Sequence, residues 1–551
     1  MAKEGGFFRM QLQIHSVFIP KPKPRFLFNL KHKKIESFCS TSTLILNSYK
    51  PNKPQLVWPS PTDEIPFWNK EFPCSDHMGV DEYDADADVV SNHDHHQLMH
   101  ITHVTAEMAP IAKVGGLGDV VTGLARASLS CGHTVDIMLP FYECIPRHQI
   151  TDLALITTFN SYHDGVWIPT EAYKGFVSSI PVIFIQPSNH FFKGKHVYGG
   201  SYNELDAYVF FSRACLEWMQ VTGTQPDIIH VHEWQTSVLP LLYWDIEQQL
   251  SKSGLNGSLY ATIDKVESST AMQFTVSPTY LKETMCSGWL SSTLVSNRHK
   301  YFGILNGIDT AIWNPALDVF LPAKFHAENL EGKRLCKYFV QRGLGLASSD
   351  SALDMQTKVP LVVCITRLVA QKGLHLIIHA MKRVEQLGGK MIILGKAPDG
   401  NIQREFEGLA NLHNEGPSIR ILLMYSEELS HMLYAAADMV FVPSMYEPCG
   451  LAQMIGMRYG AVPVVRKTGG LADTVFDMDD PQNQEKANGF VFEGIDETSL
   501  DGALYCAFSY FKDNPNKWNN IVKKIMEIDN SWNNTAGKYI ELYSSIKANV
   551  N

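Results

Sequence analysis

Short apolar runs recur along the chain from His100 onward, and amphipathic stretches with helical spacing, often opened by glycine, fall between most of them. This alternation predicts parallel βαβ units. In the first half the runs that read as buried strands are His100–Thr105, Val135–Leu139, Val182–Gln186, Asp227–His232 and Phe274–Ser277. In the second half they are Leu361–Ile365, Lys390–Leu394, Ile419–Leu423, Met439–Val442 and Val462–Val465. Each half therefore reads as its own doubly wound α/β sheet, with a seam near Asn306-Gly-Ile-Asp309, where turn residues precede Trp313-Asn-Pro315. Ligands of open α/β sheets bind outside the carboxyl ends of the strands, so two such sheets place a site in the cleft between them.

The first hundred residues do not share this pattern. Residues 1–50 hold nine Lys/Arg against Glu4 and Glu36 and end in the hydroxyl-rich run Ser37 to Thr43, the composition of an organelle transit peptide or of a basic tail without an address. Residues 51–97 are acidic and interrupted by six prolines from Pro51 to Pro73, which reads as a solvated linker. His93-Asp-His-His96, with His100 and His103 beyond it, invites a metal reading, but a tract without fixed geometry does not preorganise ligands.

Composition narrows the function classes. At 551 residues with 45% hydrophobic and 19% charged positions, the chain can bury the cores of about two to four domains. A net charge of -10 leaves no global basic surface to neutralise a nucleic-acid backbone. The longest apolar runs, such as Val359 to Ile365, are far shorter than a membrane span. Ten scattered cysteines with no CxxC pair disfavour zinc ribbons, redox motifs and secreted disulfide scaffolds, and fit a reducing compartment.

Two loops echo each other across the halves. Lys113-Val-Gly-Gly-Leu-Gly-Asp-Val-Val121 follows the first strand, and Lys467-Thr-Gly-Gly-Leu-Ala-Asp-Thr-Val475 follows a late strand of the second half; six of the nine positions agree. Gly115, Gly116 and Gly118 lack a Cβ, so backbone amides at a helix start can approach an anion, with Lys113 and Lys467 as mobile cations. Glycine at such turns also serves packing alone, and the repetition is what favours a shared cleft. Directly after Leu361–Ile365 come Arg367 and Lys372-Gly373, two cations placed to neutralise a diphosphate leaving group. Glu447, in Pro443-Ser-Met-Tyr-Glu-Pro-Cys-Gly-Leu451, could accept hydrogen bonds from sugar hydroxyls or simply cap the helix that follows.

Together with His230-Val-His-Glu-Trp-Gln235 and Gly303-Ile-Leu-Asn-Gly-Ile-Asp309, these motifs resemble plant starch synthases and the related bacterial glycogen synthases, in order over about residues 98–547. Ile402 to Gly408 and Gln453 to Gly460 look closest to the class IV and class V soluble enzymes. The resemblance implies a GT-B fold of two Rossmann-like domains, 98–308 and 309–510, followed by C-terminal helices over 511–551. It implies ADP-glucose as donor substrate, an α-1,4-glucan as acceptor, retention at the anomeric carbon, no cofactor or metal, and a plastid location. Carried over by position, Lys113, Gly115 and Gly116 would line the nucleotide-sugar site. Arg367 and Lys372 would stabilise departing ADP, while Glu447 would contact the donor glucose beside Cys449, Gly450 and Leu451. Lys467, Thr468, Gly469 and Gly470 would close the phosphate side, and His232 would join the substrate-binding set.

The chain departs from the family in its first half. There a Thr-Cys-His-Asn type signature, whose histidine contacts the donor sugar, should follow the His-x-His-Asp-Trp motif. Here Ser258-Leu-Tyr-Ala-Thr262 leads through Ile263 to Gln273 straight into Phe274-Thr-Val-Ser-Pro278, with no His-Asn pair and several tens of residues missing. The first domain is thus expected to be shortened, by a true deletion or by an omitted coding segment, and the family's Asp is Glu233. Losing one preorganised contact commonly costs a factor of about 10²–10³ in rate. The expectation is a starch-synthase-like protein with weak or no transferase activity that binds glucan or starch-initiation proteins; the alternative is an active ADP-glucose:glucan glucosyltransferase. Trp167, Phe191, Phe192 and Tyr198 are candidates for stacking on sugar rings, with core packing as the default for each.

Overall fold

The computed structural model describes residues 98–199, 203–243, 271–286, 288, 291–347 and 358–548, with the backbone of His15–Phe18. The basic segment 1–50, except His15–Phe18, and the acidic linker 51–97 lie outside the described residues.

The first sheet is built from β1 His15–Phe18, β2 His100–Val104, β3 Thr134–Pro140, β4 Thr151–His163, β5 Val166–Val177, β6 Ile180–Pro187, β7 Ile228–Val231, β8 Ala271–Thr275 and β9 Tyr301–Gly303. Its order is β4-β5-β6-β3-β2-β7-β1-β8-β9. The second holds β10 Leu361–Ile365, β11 Lys390–Leu394, β12 Ile419–Leu422, β13 Met439–Val442, β14 Val462–Arg466 and β15 Phe490–Phe492, in the order β12-β11-β10-β13-β14-β15. Every pairing in the second sheet is parallel, and its strands are apolar on both faces: Val362, Val363, Ile392, Val440 and Val464 are all fully buried. All ten runs read from the sequence are strands, displaced by at most a few residues at their ends.

The hairpin β4–β5 was not foreseen. Its strands carry many exposed positions and no continuous apolar run, so periodicity gives little signal. The signal was in the turn: Asp164 and Gly165 both have positive φ, the requirement of a tight two-residue hairpin. The short β9 and β15 and the N-terminal β1 were missed as well.

Six helices position the site and the seam: α1 Gly116–Ser130, α2 Pro278–Cys286, α3 Leu374–Gln386, α4 Gly469–Thr474, α5 Pro515–Glu527 and α6 Trp532–Ala548. The C-terminal helices divide between the two cores. Trp518, Ile521 and Ile525 of α5 pack in the second, whereas Trp532, Ala536, Tyr539 and Tyr543 of α6 pack in the first. The chain therefore crosses twice between halves, and the crossings run side by side: Ile308 N–H donates to Asn530 O at 2.8 Å, and the Tyr539 hydroxyl donates to Asn306 Oδ1 at 2.8 Å. Arg126 of α1 pairs with Asp309 at the same seam.

Candidate functional site

The second half presents its chemistry at the carboxyl ends of β10 and β13. Two loops meet there, 366–373 after β10 and 443–451 after β13, and Gln371 laces them: Met445 N–H donates to Gln371 O at 2.7 Å and the Gln371 side-chain Nε2 donates to Tyr446 O at 3.2 Å. Gly373 has φ +71°, and a Cβ there would stand 2.2 Å from Pro443 O, so only glycine permits this approach. The lacing places the Lys372 ammonium on the Glu447 carboxylate, which also accepts from Ser444 Oγ at 2.7 Å. Arg367 is exposed beside them, and its charge reaches Glu233 of the first half.

Glu447 is buried, as are Cys449 and Gly450 behind it. Burial pushes the Cys449 thiol up to about 12, so it is a neutral wall rather than a nucleophile. Leu451 meets the first half: a Cβ on Gly116 would lie 3.3 Å from Leu451 Cδ1.

Both glycine loops are held by carboxylates of the chain itself. Val114 and Gly115 N–H both donate to Glu107 Oε2 at 2.9 Å, and Tyr198 Oη donates to Glu107 Oε1 at 2.7 Å. In the second loop Gly469 N–H and Thr468 Oγ1 donate to Glu283 of α2, at 2.9 and 3.1 Å. Gly470 N–H donates to Glu447 O at 3.0 Å, and a Cβ on Gly470 would lie 1.9 Å from Cys449 O. These glycines let the turn press against the 447–449 backbone. The amides of Gly115 and Gly469, expected to face an anion, are thus engaged by carboxylates of the chain itself.

Lys113 is partly buried and bridges the halves, with Asp119 at 3.0 Å and Glu427 at 3.3 Å. Burial disfavours its charge, but Asp119, Tyr425 and Glu427 outweigh that and raise its pKa. Lys467 is exposed and pairs with Glu493 at 2.7 Å on the surface. His232 is fully buried: its Nε2 lies 3.0 Å from His103 Nδ1, and its ring stacks on His230, whose Nδ1 meets the Tyr543 hydroxyl at 2.8 Å. These three imidazoles bring one ring nitrogen each within 4.8 Å of one another, deep in the first core, so His232 supports the sheet rather than lining the cleft. His100 bonds Asp136 at 2.8 Å.

Sequence reading missed the carboxylates that join the halves. Asp473 of α4 accepts from Thr279 N–H at 3.0 Å and from the Ser277 hydroxyl, and with Glu283 it clamps α2 onto α4. Glu233 was noted only as a substitution. It is half-buried with φ +62°, and burial, followed by the like charge of Glu107, pushes its carboxyl up to about 8 while Arg367 opposes. Phe191 and Phe192 are core residues, Tyr198 is engaged with Glu107, and Trp167 is exposed on the hairpin.

Residues 100–263 match the family described as the starch synthase catalytic domain, and residues 349–505 match glycosyl transferases group 1. The chain is 42% identical over 494 residues to a probable starch synthase 4, chloroplastic/amyloplastic, of Arabidopsis thaliana, covering 81% of this chain and 47% of that protein. It thus spans about half the length of the curated plant relative. It is 36% identical over 506 residues to a glycogen synthase of Protochlamydia amoebophila, covering 82% of this chain and 100% of that one. Among solved structures, the catalytic domain of starch synthase IV from Arabidopsis thaliana bound to ADP and acarbose superposes with TM-score 0.74 at 40% identity, covering 82% of this chain and 100% of that one. A sucrose-phosphate synthase of Thermosynechococcus elongatus shares the two-domain GT-B fold at TM-score 0.51 and 16% identity, covering 81% of this chain and 98% of that one.

Proposed function

We propose a glucan-binding role with weak or no glucosyl transfer, in plastid starch metabolism, for this chain, which belongs to the starch and glycogen synthase family. The observation that carries this reading is that no histidine occurs between His232 and His299, the stretch in which the resemblance places the sugar-contacting imidazole. His232 cannot replace it without leaving its bond to His103.

The nucleotide side is supported by the Lys372–Glu447 pair, with Arg367 exposed on the same loop after β10, with ADP-glucose as the ligand class and Lys113, Gly116 and Leu451 where the halves meet. Without a group to hold the glucose in register, leaving-group stabilisation alone does not align donor and acceptor. Binding to starch-initiation proteins is part of the same proposal. So is the plastid location, in line with the chloroplastic/amyloplastic names of the plant relatives and the basic composition of residues 1–50. Among the described residues no helix is long and apolar enough to cross a membrane.

The Lys372–Glu447 pair, with Arg367 on the same loop, favours a second reading, an active ADP-glucose:α-1,4-glucan glucosyltransferase. One assay separates the two: incorporation of labelled glucose from ADP-glucose into a maltooligosaccharide by the full chain, with Arg367→Ala as control. No incorporation by a folded protein that is retained on glucan is expected. Incorporation that Arg367→Ala abolishes would refute the binding-only reading.

A further inference from the structure

The first sheet is parallel from β6 through β3 and β2 to β7, and parallel again from β8 to β9. These two blocks do not pair with each other. A single antiparallel strand, β1, lies between them, with Val17 opposite His230 of β7 on one side and Met272 of β8 on the other.

Strands repeat about every 4.8 Å across a sheet, so without β1 the edges of β7 and β8 would face each other across a gap of about 9–10 Å. That gap would open in the interior: Ile228, Ile229, His230, Val231 and Phe274 are at most 1% exposed. Unpaired N–H and C=O groups at such depth have no water to bond. The gap would also cut the sheet where it carries load. β8 runs directly into Ser277 and α2, whose Thr279 and Glu283 hold the Thr468–Asp473 turn of the second half. Both blocks are needed to keep that turn in place.

We propose that the first sheet of this chain is an acceptor for one strand between β7 and β8, and that the chain's own N-terminal segment, through His15–Phe18, is its occupant and is retained in the folded protein. The segment belongs to the same compact unit as residues 96–551. An address within residues 1–50 is then processed upstream of His15 or not at all. The inference rests on strand pairing and is independent of whether glucose is transferred.

Hydrogen exchange read by mass spectrometry tests it in the full chain. Amides of 228–231 and 271–275 are expected to be protected, and Val17→Pro, which removes an N–H from the middle of β1, to speed their exchange about tenfold or more while 361–365 stays unchanged. A chain lacking its first twenty residues should show the same loss and recover when a synthetic peptide of residues 12–21 is added, but not with the Val17→Pro peptide. Support requires both the loss and the peptide-specific recovery. Unchanged protection in the variants, or a loss that the peptide does not reverse, overturns the proposal.

Discussion

At the scale of single residues, Glu233 is the most informative side chain of the cleft. Its carboxyl is pushed up to about 8 from an ordinary 4.5, first by burial and then by Glu107, so the folded chain holds a proton that the unfolded chain releases between these values. The stability this group contributes is present below about pH 4.5 and is lost as pH rises through 8. Glu233→Gln cannot ionise, so it should match the parent near pH 4.5 and exceed it by up to about 4 kcal/mol at pH 8, as read by urea unfolding at both pH values. A difference that is equal at both pH values would show that Glu233 titrates normally. Arg367, Lys372 and Glu447 were legible because each stands at the end of a buried apolar run, within a short distinctive motif. Glu107 and Glu283 were not, because a lone carboxylate has no spacing to betray it, and Asp473, though it matches Asp119 in the repeated loop, showed nothing of its partner on α2. The hint for Glu107 was its place, just beyond the carboxyl end of β2.

At the scale of elements, the packing of α6 on α1 joins the chain's end to its first domain. Gly123 of α1 faces Trp532, and a Cβ there would stand 2.0 Å from the indole Nε1. Gly123→Ala should therefore cost about 1–3 kcal/mol by overpacking. Trp532→Ala should also destabilise, through lost burial of a side chain that is 4% exposed. The double variant should be less damaged than the sum of the two, because the added methyl then enters the space the ring vacates. Strictly additive losses in a double-mutant cycle by chemical denaturation would show that the two residues do not press on each other. The strands of both cores could be read because buried parallel strands are written as unbroken apolar runs. Hairpin β4–β5, exposed along much of its length, is written mainly in its Asp164-Gly165 turn.

At the scale of the whole molecule, the two halves meet through Lys113 with Glu427, Gly116 against Leu451, and the clamp of α2 on α4. On the proposed reading, ADP is held by Arg367 and Lys372 in the folded chain and not in the unfolded one. ADP at about a hundred times its dissociation constant should therefore stabilise the protein by about 2.7 kcal/mol, visible as a raised Tm. Lys372→Ala, at the same ADP concentration, should lose most of that increase. No rise with the parent protein would place the loss of function in the nucleotide half, contrary to the proposal.

The sequence by itself determined the two α/β sheets, the cationic loop after β10 and the lack of any histidine between His232 and His299. These are local facts, set by runs, spacings and motifs. Tertiary structure alone decided that α6 returns to the first core, that carboxylates occupy the amides of both glycine loops, that Lys467 turns to the surface and that His15–Phe18 fills the sheet. Each of these joins residues far apart in the chain, and no local pattern records which distant group will satisfy a backbone amide or an open strand edge.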